Sequence, residues 1–393
     1  MSKIAFIGPL PPPIGGVAVI NQSFQEIDYS CYEVTSFNTS NQNSRENKYN
    51  RFTWNSTFRE LRKSRTTERF IEKVNPDVIN KRFPWNSFFR ELRKSKAIDR
   101  YIKKVNPDVI NIFITSGPAI LRDFLYLKTI HKYNIPVVIH FHSKTKGEFA
   151  LTPFRLKVTG YFFKKYAKKI ILLSDEHFRF FSHYFGEKRC VVIENFVTYS
   201  DYDNEIEKKC SQFLFVGRLT KEKGFLDLLN AAIILKKGGI KCEFHIIGLA
   251  ATKQKEKEIM DFIDNNQLRE YIILYGAIFG KDKFELFKVS KYLIFPSHFE
   301  NSPVVLKEAI AAKMAIVASN IKANKKILKT KENNIFFETG NSYDLAKKIV
   351  LLLNDKNKSQ AMCAESARVL EYDVSNAKKK IQAVFDELIT KNA

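Results

Sequence analysis

The most constraining feature of this sequence is a series of short apolar runs, each followed by a glycine or a polar turn and then by a helical pattern. In the second half of the chain these runs are 244–247, 271–275, 292–295 and 315–318. Strands that alternate with helices in this way are joined by crossover connections, and such connections produce parallel sheets. This alternation therefore predicts an α/β protein whose second half forms a doubly wound parallel sheet.

The length of the chain indicates two domains. A chain of 393 residues exceeds what one hydrophobic core usually supports. The apolar run 191–197 closes the first half, and the polar stretch 200–211 follows it as a linker. We therefore predict a first domain at 1–197, a second domain at 198–372 and a final helix within 373–393.

Two glutamates, Glu300 and Glu308, flank the predicted start of a helix that follows the apolar run 292–295. Ser302 suits the N-cap, and Pro303 suits the first helical position, where its missing N–H costs nothing. A helix N-terminus offers free N–H groups and a partial positive charge to a phosphate. The carboxylates on either side could then accept hydrogen bonds from sugar hydroxyls. The alternative is a surface helix with solvated glutamates.

A second candidate for phosphate binding follows the apolar run 213–216. Gly217 lets the backbone approach a ligand closely, and Arg218 and Lys223 stand in the loop before the next helix. Arginine offers a diphosphate a fork of donors, and lysine offers a point charge. Two loop cations without a ligand are the alternative, because the chain carries many cations.

Two features of the first half are also candidates for a site. Gly15 and Gly16 open a predicted helix after a Pro-rich loop, where the backbone can approach a ligand. His140 and His142 alternate with apolar residues in the run 137–143, so both point to one face near the end of a strand. Ligands gather outside the carboxyl ends of parallel strands, although a structural role is the commoner one for a histidine there.

The strings 213–224 and 292–312 resemble the donor-binding signatures of the retaining nucleotide-sugar glycosyltransferases called family 4, and the resemblance covers nearly the whole chain outside 51–81. It implies two Rossmann-like domains facing a cleft, the GT-B fold, with the last helix crossing back to the first domain. It also implies transfer of a hexosyl group from a nucleotide-diphosphate donor to an acceptor hydroxyl, with retention at the anomeric carbon. Lys313 stands where the family usually has glycine.

The same resemblance implies roles for individual residues. Glu308 would hold the ribose hydroxyls, while Glu300 and His142 would orient the donor sugar as the catalytic residues. The implied donor-binding residues are Gly15, Gly16, Arg218, Lys223, Asn301, Ser302, Val304 and Glu308. Because these groups could stabilise the leaving diphosphate, we expect a metal-independent reaction without a cofactor.

A tandem repeat occupies part of the first half. Residues 51–80 recur as 82–111, with 22 of 30 aligned positions identical. Two copies are too few for a solenoid, so the repeat is interpreted as the duplication of one helix–strand unit. Only the second copy runs on into a full apolar strand, at 108–114, and the first copy is therefore predicted to be the insertion.

The charge of the chain, +23, implies attraction to an anionic partner. The segment 155–170 concentrates this character, with six cations, no acids and four aromatic residues. That composition favours an anionic membrane surface. It would also suit single-stranded nucleic acid, but no nucleic-acid fold signature accompanies it. A solvated helix face and a biased overall composition are the remaining alternatives.

The five cysteines are odd in number, dispersed and without a CxxC pair, which indicates reduced thiols and a cytoplasmic protein. No apolar stretch approaches the length of a spanning helix. We therefore expect a cytoplasmic enzyme that rests on the inner face of the cell membrane and acts on a glycan or lipid-linked acceptor in bacterial polysaccharide or glycolipid assembly. An inactive membrane-associated scaffold and a nucleotide-sugar epimerase on the same fold are the alternatives.

Overall fold

The computed structural model describes residues 1–10, 16–40, 85–115, 120–143, 151–202, 209–328, 335–355, 357 and 371–391. The chain divides into two units. Unit 1 comprises Met1–Val192 and Gln382–Ala393, and unit 2 comprises Ile193–Ile381. The first copy of the repeat, 51–80, lies outside the described residues.

Unit 1 is built on a parallel sheet whose described strands follow the order β2-β1-β3-β4-β5-β6. The strands are β1 (Ser2–Gly8), β2 (Tyr32–Asn38), β3 (Val109–Thr115), β4 (Val137–His142), β5 (Lys169–Leu172) and β6 (Cys190–Val192). The described helices are α1 (Gly16–Gln25), α2 (Trp85–Val105), α3 (Ile120–His131), α4 (Pro153–Tyr166) and α5 (Asp175–Phe185). The strand order reverses between β1 and β3, which creates a topological switch point.

The second copy of the repeat supplies α2 and β3, as its pattern predicts. Ile98 and Ile102 of α2 are buried in a core that also contains Ile110, Ile112 and Ile114 of β3. The spacing of four in the helix and two in the strand brings both sets to one interface. The helix–strand unit is therefore a genuine packing unit of unit 1.

Unit 2 is built on a second parallel sheet, whose described strands follow the order β12-β11-β10-β7-β8-β9. The strands are β7 (Lys209–Val216), β8 (Glu243–Ile247), β9 (Ile272–Gly276), β10 (Ser290–Phe295), β11 (Ala315–Ser319) and β12 (Ile335–Phe337). The described helices are α6 (Phe225–Lys237), α7 (Lys253–Asn265), α8 (Gly280–Val289), α9 (Val304–Ala311), α10 (Lys322–Leu328) and α11 (Ser342–Asn354). Buried apolar clusters cover both faces of this sheet.

The last helix, α12 (Val374–Thr390), begins in unit 2 and ends in unit 1. In unit 1 the ring of Phe385 packs edge-on against Phe6, with the ring centroids 6.2 Å apart. Glu387 forms an ion pair with Lys169 at 2.7 Å. Two parallel sheets with a final helix that returns to the first unit confirm the predicted α/β class with two Rossmann-like domains. Unit 1 ends at Val192 and unit 2 begins at Ile193, whereas the predicted boundary followed residue 197.

None of the described helices is both long and apolar enough to cross a membrane.

Candidate functional site

The candidate site lies at the switch point of the second sheet. The strand order reverses between β7 and β10, and ligands of open α/β sheets bind outside the carboxyl ends of strands at such a point. The 217–224 loop follows β7 and carries Arg218 and Lys223, while the 296–303 loop follows β10 and carries Glu300. Two sequence strings that are far apart in the chain are thus neighbours in the fold.

The two loops pack tightly against each other at Gly224. This residue has a φ of +70°, and a Cβ atom there would lie 2.0 Å from the carbonyl oxygen of Pro296. Both the left-handed backbone and the lack of space require glycine. The backbone N–H of His298 also donates to the carbonyl of Glu222 at 2.9 Å. The positions of Lys223 and Glu300 are therefore fixed by backbone contacts.

Lys223 and Glu300 form an ion pair in which Nζ lies 2.5 Å from Oε1, and their side chains are 27% and 13% exposed. An ammonium group has three donor protons, so Lys223 can hold Glu300 and still donate to a phosphate. Arg218 is 64% exposed and lies 3.9 Å from Glu222. The structure thus brings Lys223 and Glu300 together and leaves the guanidinium of Arg218 largely in solvent.

The start of α9 differs from the sequence prediction. The helix begins at Val304, and Pro303 precedes it with φ −68° and ψ 114° and without a side-chain cap. The predicted N-cap at Ser302 is wrong, because the Ser302 hydroxyl instead accepts a hydrogen bond from Lys307 at 3.1 Å. Asn301 stands in the loop before the helix. The first N–H groups of α9 therefore have no side-chain cap from the residue that precedes them.

Glu308 is 5% exposed and is held on one oxygen. Its Oε1 accepts hydrogen bonds from the Tyr202 hydroxyl at 2.8 Å and from Lys283 Nζ at 2.5 Å. Its Oε2 is buried and has no hydrogen-bond partner among the described residues. Burial, and then the charge of Glu308, raise the pKa of Tyr202, so this hydroxyl keeps its proton. A buried acceptor without a partner is costly, and a ligand hydroxyl would satisfy it.

Sequence patterns did not identify the residues that hold Glu308. Tyr202 lies 106 positions away and Lys283 lies 25 positions away, so no local spacing links them. Lys313 is a different case, because the family that the sequence resembles usually has glycine at this position. The lysine adopts a φ of 54° just after α9, in the left-handed conformation that favours glycine at a helix end.

The candidate residues of the first domain lie in unit 1. Gly16 is the first residue of α1, and Gly15 lies outside the described residues. His142 is the last residue of β4, and its Nε2 is buried without a hydrogen-bond partner in the described part of the chain. Burial, and then the charge of His177, lower the pKa of His142 to about 3. The ring therefore stays neutral and offers one donor and one acceptor.

His177 holds the backbone next to His142. Its Nδ1 accepts from the backbone N–H of Leu173 at 3.3 Å, so Nε2 carries the proton and donates to the carbonyl of Ser143 at 3.0 Å. Burial lowers the pKa of His177 to about 4, against the opposing effect of the Ser143 carbonyl. The neutral ring is thus part of the support for the strand end that carries His142.

This neutral histidine predicts a pH-dependent stability. The pKa of His177 is depressed in the folded state, so its contribution is complete above the unfolded pKa of 6.5 and is lost as the pH falls towards 4. The expected loss is about 1.4 kcal/mol per pH unit in that window. His177→Gln keeps a donor near Nε2 without titrating, so its melting temperature should fall less than that of the wild type between pH 7 and pH 5. The exposed His183→Gln is the control, and an unchanged pH response in His177→Gln would contradict this role.

Among the residues that the structure describes, no group of three His, Cys, Asp or Glu side chains is arranged to hold a metal ion.

The chain is similar to known proteins in its second half. Residues 200–369 match the family described as glycosyl transferases group 1. A relative from Staphylococcus aureus, the capsular polysaccharide biosynthesis glycosyltransferase CapH, is 28% identical over 36% of this chain and 39% of its own length. A relative from Campylobacter jejuni, N,N'-diacetylbacillosaminyl-diphospho-undecaprenol alpha-1,3-N-acetylgalactosaminyltransferase, is 25% identical over 45% of this chain and 44% of its own. The chain thus spans less than half the length of these two relatives.

A solved structure extends the likeness to both units. HepE from Anabaena, in complex with UDP, is similar with a TM-score of 0.69 at 15% sequence identity, over 98% of this chain and 100% of that one. At this identity the likeness concerns the fold, and it agrees with the GT-B architecture that the sequence predicted. The family match confirms the resemblance to group 1 glycosyltransferases, while membership of family 4 stays a prediction.

Proposed function

Because residues 200–369 match the family described as glycosyl transferases group 1, we propose that the protein is a retaining glycosyltransferase. It would move a sugar from a nucleotide-diphosphate donor to an acceptor hydroxyl. The observation that carries this proposal is Glu308, a buried carboxylate with Oε1 held by two donors and Oε2 without a partner among the described residues. Such an oxygen suits the ribose hydroxyls of a nucleotide.

The groups around Glu308 support the rest of the donor. The helix start at Val304 offers N–H groups and a partial positive charge to a diphosphate. Lys223 can donate to the same diphosphate while it holds Glu300. We assign Glu300 to the sugar, where a carboxylate fixed by an ion pair can orient a hydroxyl for reaction. Asn301 and Ser302 complete the loop between them.

The chemical difficulty in this reaction is the negative charge that develops on the leaving diphosphate. Fixed donors and cations that are aimed at developing charge stabilise the transition state. Lys223 and the start of α9 are such groups, and the largely exposed Arg218 would add its charge beside them. We therefore propose a reaction that needs no metal ion. From the family resemblance we assign His142 to orienting the donor sugar, and Gly15 and Gly16 to binding the donor.

The relatives indicate which donors and acceptors to test first. HepE was solved with UDP, so uridine diphosphate sugars are the first donors to test. The relatives in capsule biosynthesis and on a diphospho-undecaprenol substrate support a glycan or a lipid-linked sugar as the acceptor. Sugar transfer to such acceptors, together with the free thiols of Cys31, Cys190 and Cys242, supports a cytoplasmic location.

The test is a transfer assay with UDP-, GDP- and dTDP-sugars and lipid-linked acceptors in excess chelator. We expect release of a nucleoside diphosphate, and a product whose anomeric configuration, read by nuclear magnetic resonance, matches that of the donor. Inversion of the configuration would contradict the retaining mechanism, and loss of activity in chelator would contradict metal independence. Conversion of one nucleotide sugar into another without release of diphosphate would favour an epimerase.

We also propose that α4 rests on an anionic membrane surface. Phe154, Lys157, Tyr161, Lys164 and Lys165 are exposed and recur at helical spacing, so they form one cationic stripe with two aromatic residues. Cations near an anionic leaflet contribute about 1 kcal/mol each, and aromatic side chains suit the interface. Phe163 belongs instead to the core of unit 1.

Replacing Lys157, Lys164, Lys165 and Lys168 by glutamine is expected to release the protein from anionic vesicles, because all four are exposed. Lys169 is left out of this set because it pairs with Glu387. Co-sedimentation with vesicles of graded phosphatidylglycerol content measures the effect. Four exposed lysines of unit 2, Lys253, Lys257, Lys322 and Lys325, changed to glutamine, are the charge-matched control. Equal loss in both variants, or wild-type binding that is indifferent to salt, would leave α4 without a membrane role.

A further inference from the structure

Lys307 precedes Glu308 in α9 and is completely buried. Lysine is almost never fully buried unless its charge is paired. The Nζ of Lys307 lies 3.1 Å from Glu194 Oε2 and 2.6 Å from the carbonyl oxygen of Asn195. It also lies 4.2 Å from the ring centroid of Tyr372. Burial lowers the pKa of Lys307 to about 8, and Glu194 opposes that effect.

A fourth contact of Lys307 reaches the candidate site. Its Nζ donates to the Ser302 hydroxyl at 3.1 Å, and the side-chain amide of Asn195 donates to the Ser302 carbonyl at 3.0 Å. Both polar groups of Ser302 that accept hydrogen bonds are therefore held by one small cluster. Because Pro303 supplies no cap, this cluster is what holds the chain immediately before the first turn of α9.

The same cluster ties together the first segment of unit 2 and the segment that leads into α12, the helix that continues into unit 1. We call 193–197 and 371–374 the crossing segments, since 193–197 begins unit 2 and 371–374 leads into α12, which leaves unit 2 after Ile381. The N–H of Val197 donates to the carbonyl of Tyr372 at 3.0 Å, and the N–H of Val374 donates to the carbonyl of Val197 at 3.0 Å. Lys307 contacts both crossing segments and the 296–303 loop at once.

We propose that Lys307 is a positioning residue through which the crossing segments hold the 296–303 loop in the geometry that accepts the donor diphosphate. This inference rests on the proposed function of the site. A buried ion pair is weak support for stability, because desolvation offsets its Coulomb attraction. Its defined partners instead fix where Ser302 and the start of α9 lie. A change in either crossing segment would thereby reach the phosphate-binding end of the site.

The test compares the affinities of UDP and UMP in wild type and in Lys307→Met, by calorimetric titration. Loss of the hydrogen bond from Lys307 to Ser302 should weaken UDP binding by about tenfold, comparable to the loss of one charge-assisted hydrogen bond. UMP should be affected much less, because it lacks the second phosphate. The ratio of the UDP affinity to the UMP affinity is informative, because a general loss of stability would not change this ratio in the protein that remains folded. The exposed Lys325→Met should leave both affinities unchanged.

A second pair of variants tests the same inference if Lys307→Met does not fold. Tyr372→Leu removes the ring face under the Lys307 ammonium, whereas Tyr372→Phe keeps it. We expect a lower ratio of UDP affinity to UMP affinity in the leucine variant, and the wild-type ratio in the phenylalanine variant. Wild-type ratios in folded Lys307→Met, or in both Tyr372 variants, would overturn the role of Lys307. Failure of wild type to bind UDP and other nucleoside diphosphates would instead contradict the proposed function.

Discussion

Replacing Lys223 by alanine is expected to weaken nucleoside diphosphate binding by roughly 10- to 150-fold, the effect of losing a hydrogen bond to a charged group worth about 1.5–3 kcal/mol. Two physical effects act together. The variant loses the ammonium that would donate to the phosphates, and it leaves Glu300, which is 13% exposed, without its ion-pair partner. An unpaired carboxylate beside the diphosphate would repel it. Titration calorimetry with UDP measures the change.

A double variant separates these two effects. In Lys223→Ala with Glu300→Gln the repulsive carboxylate is gone, so part of the lost affinity should return. The effect of the double variant minus the effects of the two single variants gives the coupling energy of the pair. The exposed Lys221→Ala in the same loop is the matched control. Arg218→Ala should have a smaller effect, because that side chain is 64% exposed. If Lys223→Ala binds UDP as tightly as wild type, Lys223 has no place in the phosphate site.

Replacing Glu308 by glutamine is expected to weaken nucleotide binding more than replacing Glu300 by glutamine. Glu308 holds an unpartnered buried oxygen, and a hydrogen bond from a ribose hydroxyl to a carboxylate contributes about 1.5–3 kcal/mol. Glu300→Gln should mainly lower turnover, because Glu300 is assigned to the reacting sugar. Lys283→Met should act in the direction of Glu308→Gln, because Lys283 holds Oε1 at 2.5 Å.

The ribose assignment can be isolated with a nucleotide analogue. Wild type should bind UDP more tightly than 2′,3′-dideoxy-UDP, and Glu308→Gln should lose most of that discrimination. Glu285→Gln, at a side chain that is 58% exposed on α8, is the control and should discriminate as wild type does. Equal discrimination in Glu308→Gln and wild type would show that the unpartnered oxygen does not meet the ribose.

Much of the fold was predictable because it depends on local patterns. Apolar runs of strand length that alternate with helices predict a parallel sheet whichever partners the strands take, so the sheet of unit 2 was predicted from the pattern. The architecture of two Rossmann-like domains was implied by the family resemblance. The pairing of β7 with β10 was not visible from spacing. Arg218 and Glu300 were linked in advance only by the resemblance to known enzymes.

The parts that sequence could not supply are contacts between distant residues. Ser302 has the side chain of an N-cap, yet its hydroxyl accepts a hydrogen bond from the buried Lys307. The partners of Glu308 come from other elements, Tyr202 and Lys283. Local propensity is a weak guide wherever a tertiary hydrogen bond competes for the same group.

The most direct test of the central claim is calorimetric titration of the wild-type protein with UDP, GDP, ADP, CDP and dTDP in excess chelator. We predict saturable binding of one nucleoside diphosphate per chain, preferred over its monophosphate, since the start of α9 and Lys223 would hold the second phosphate. The preference should fall in Lys223→Ala and persist in Lys221→Ala. Absence of saturable binding by every one of these diphosphates would contradict the assignment of the switch point of unit 2 as a donor site.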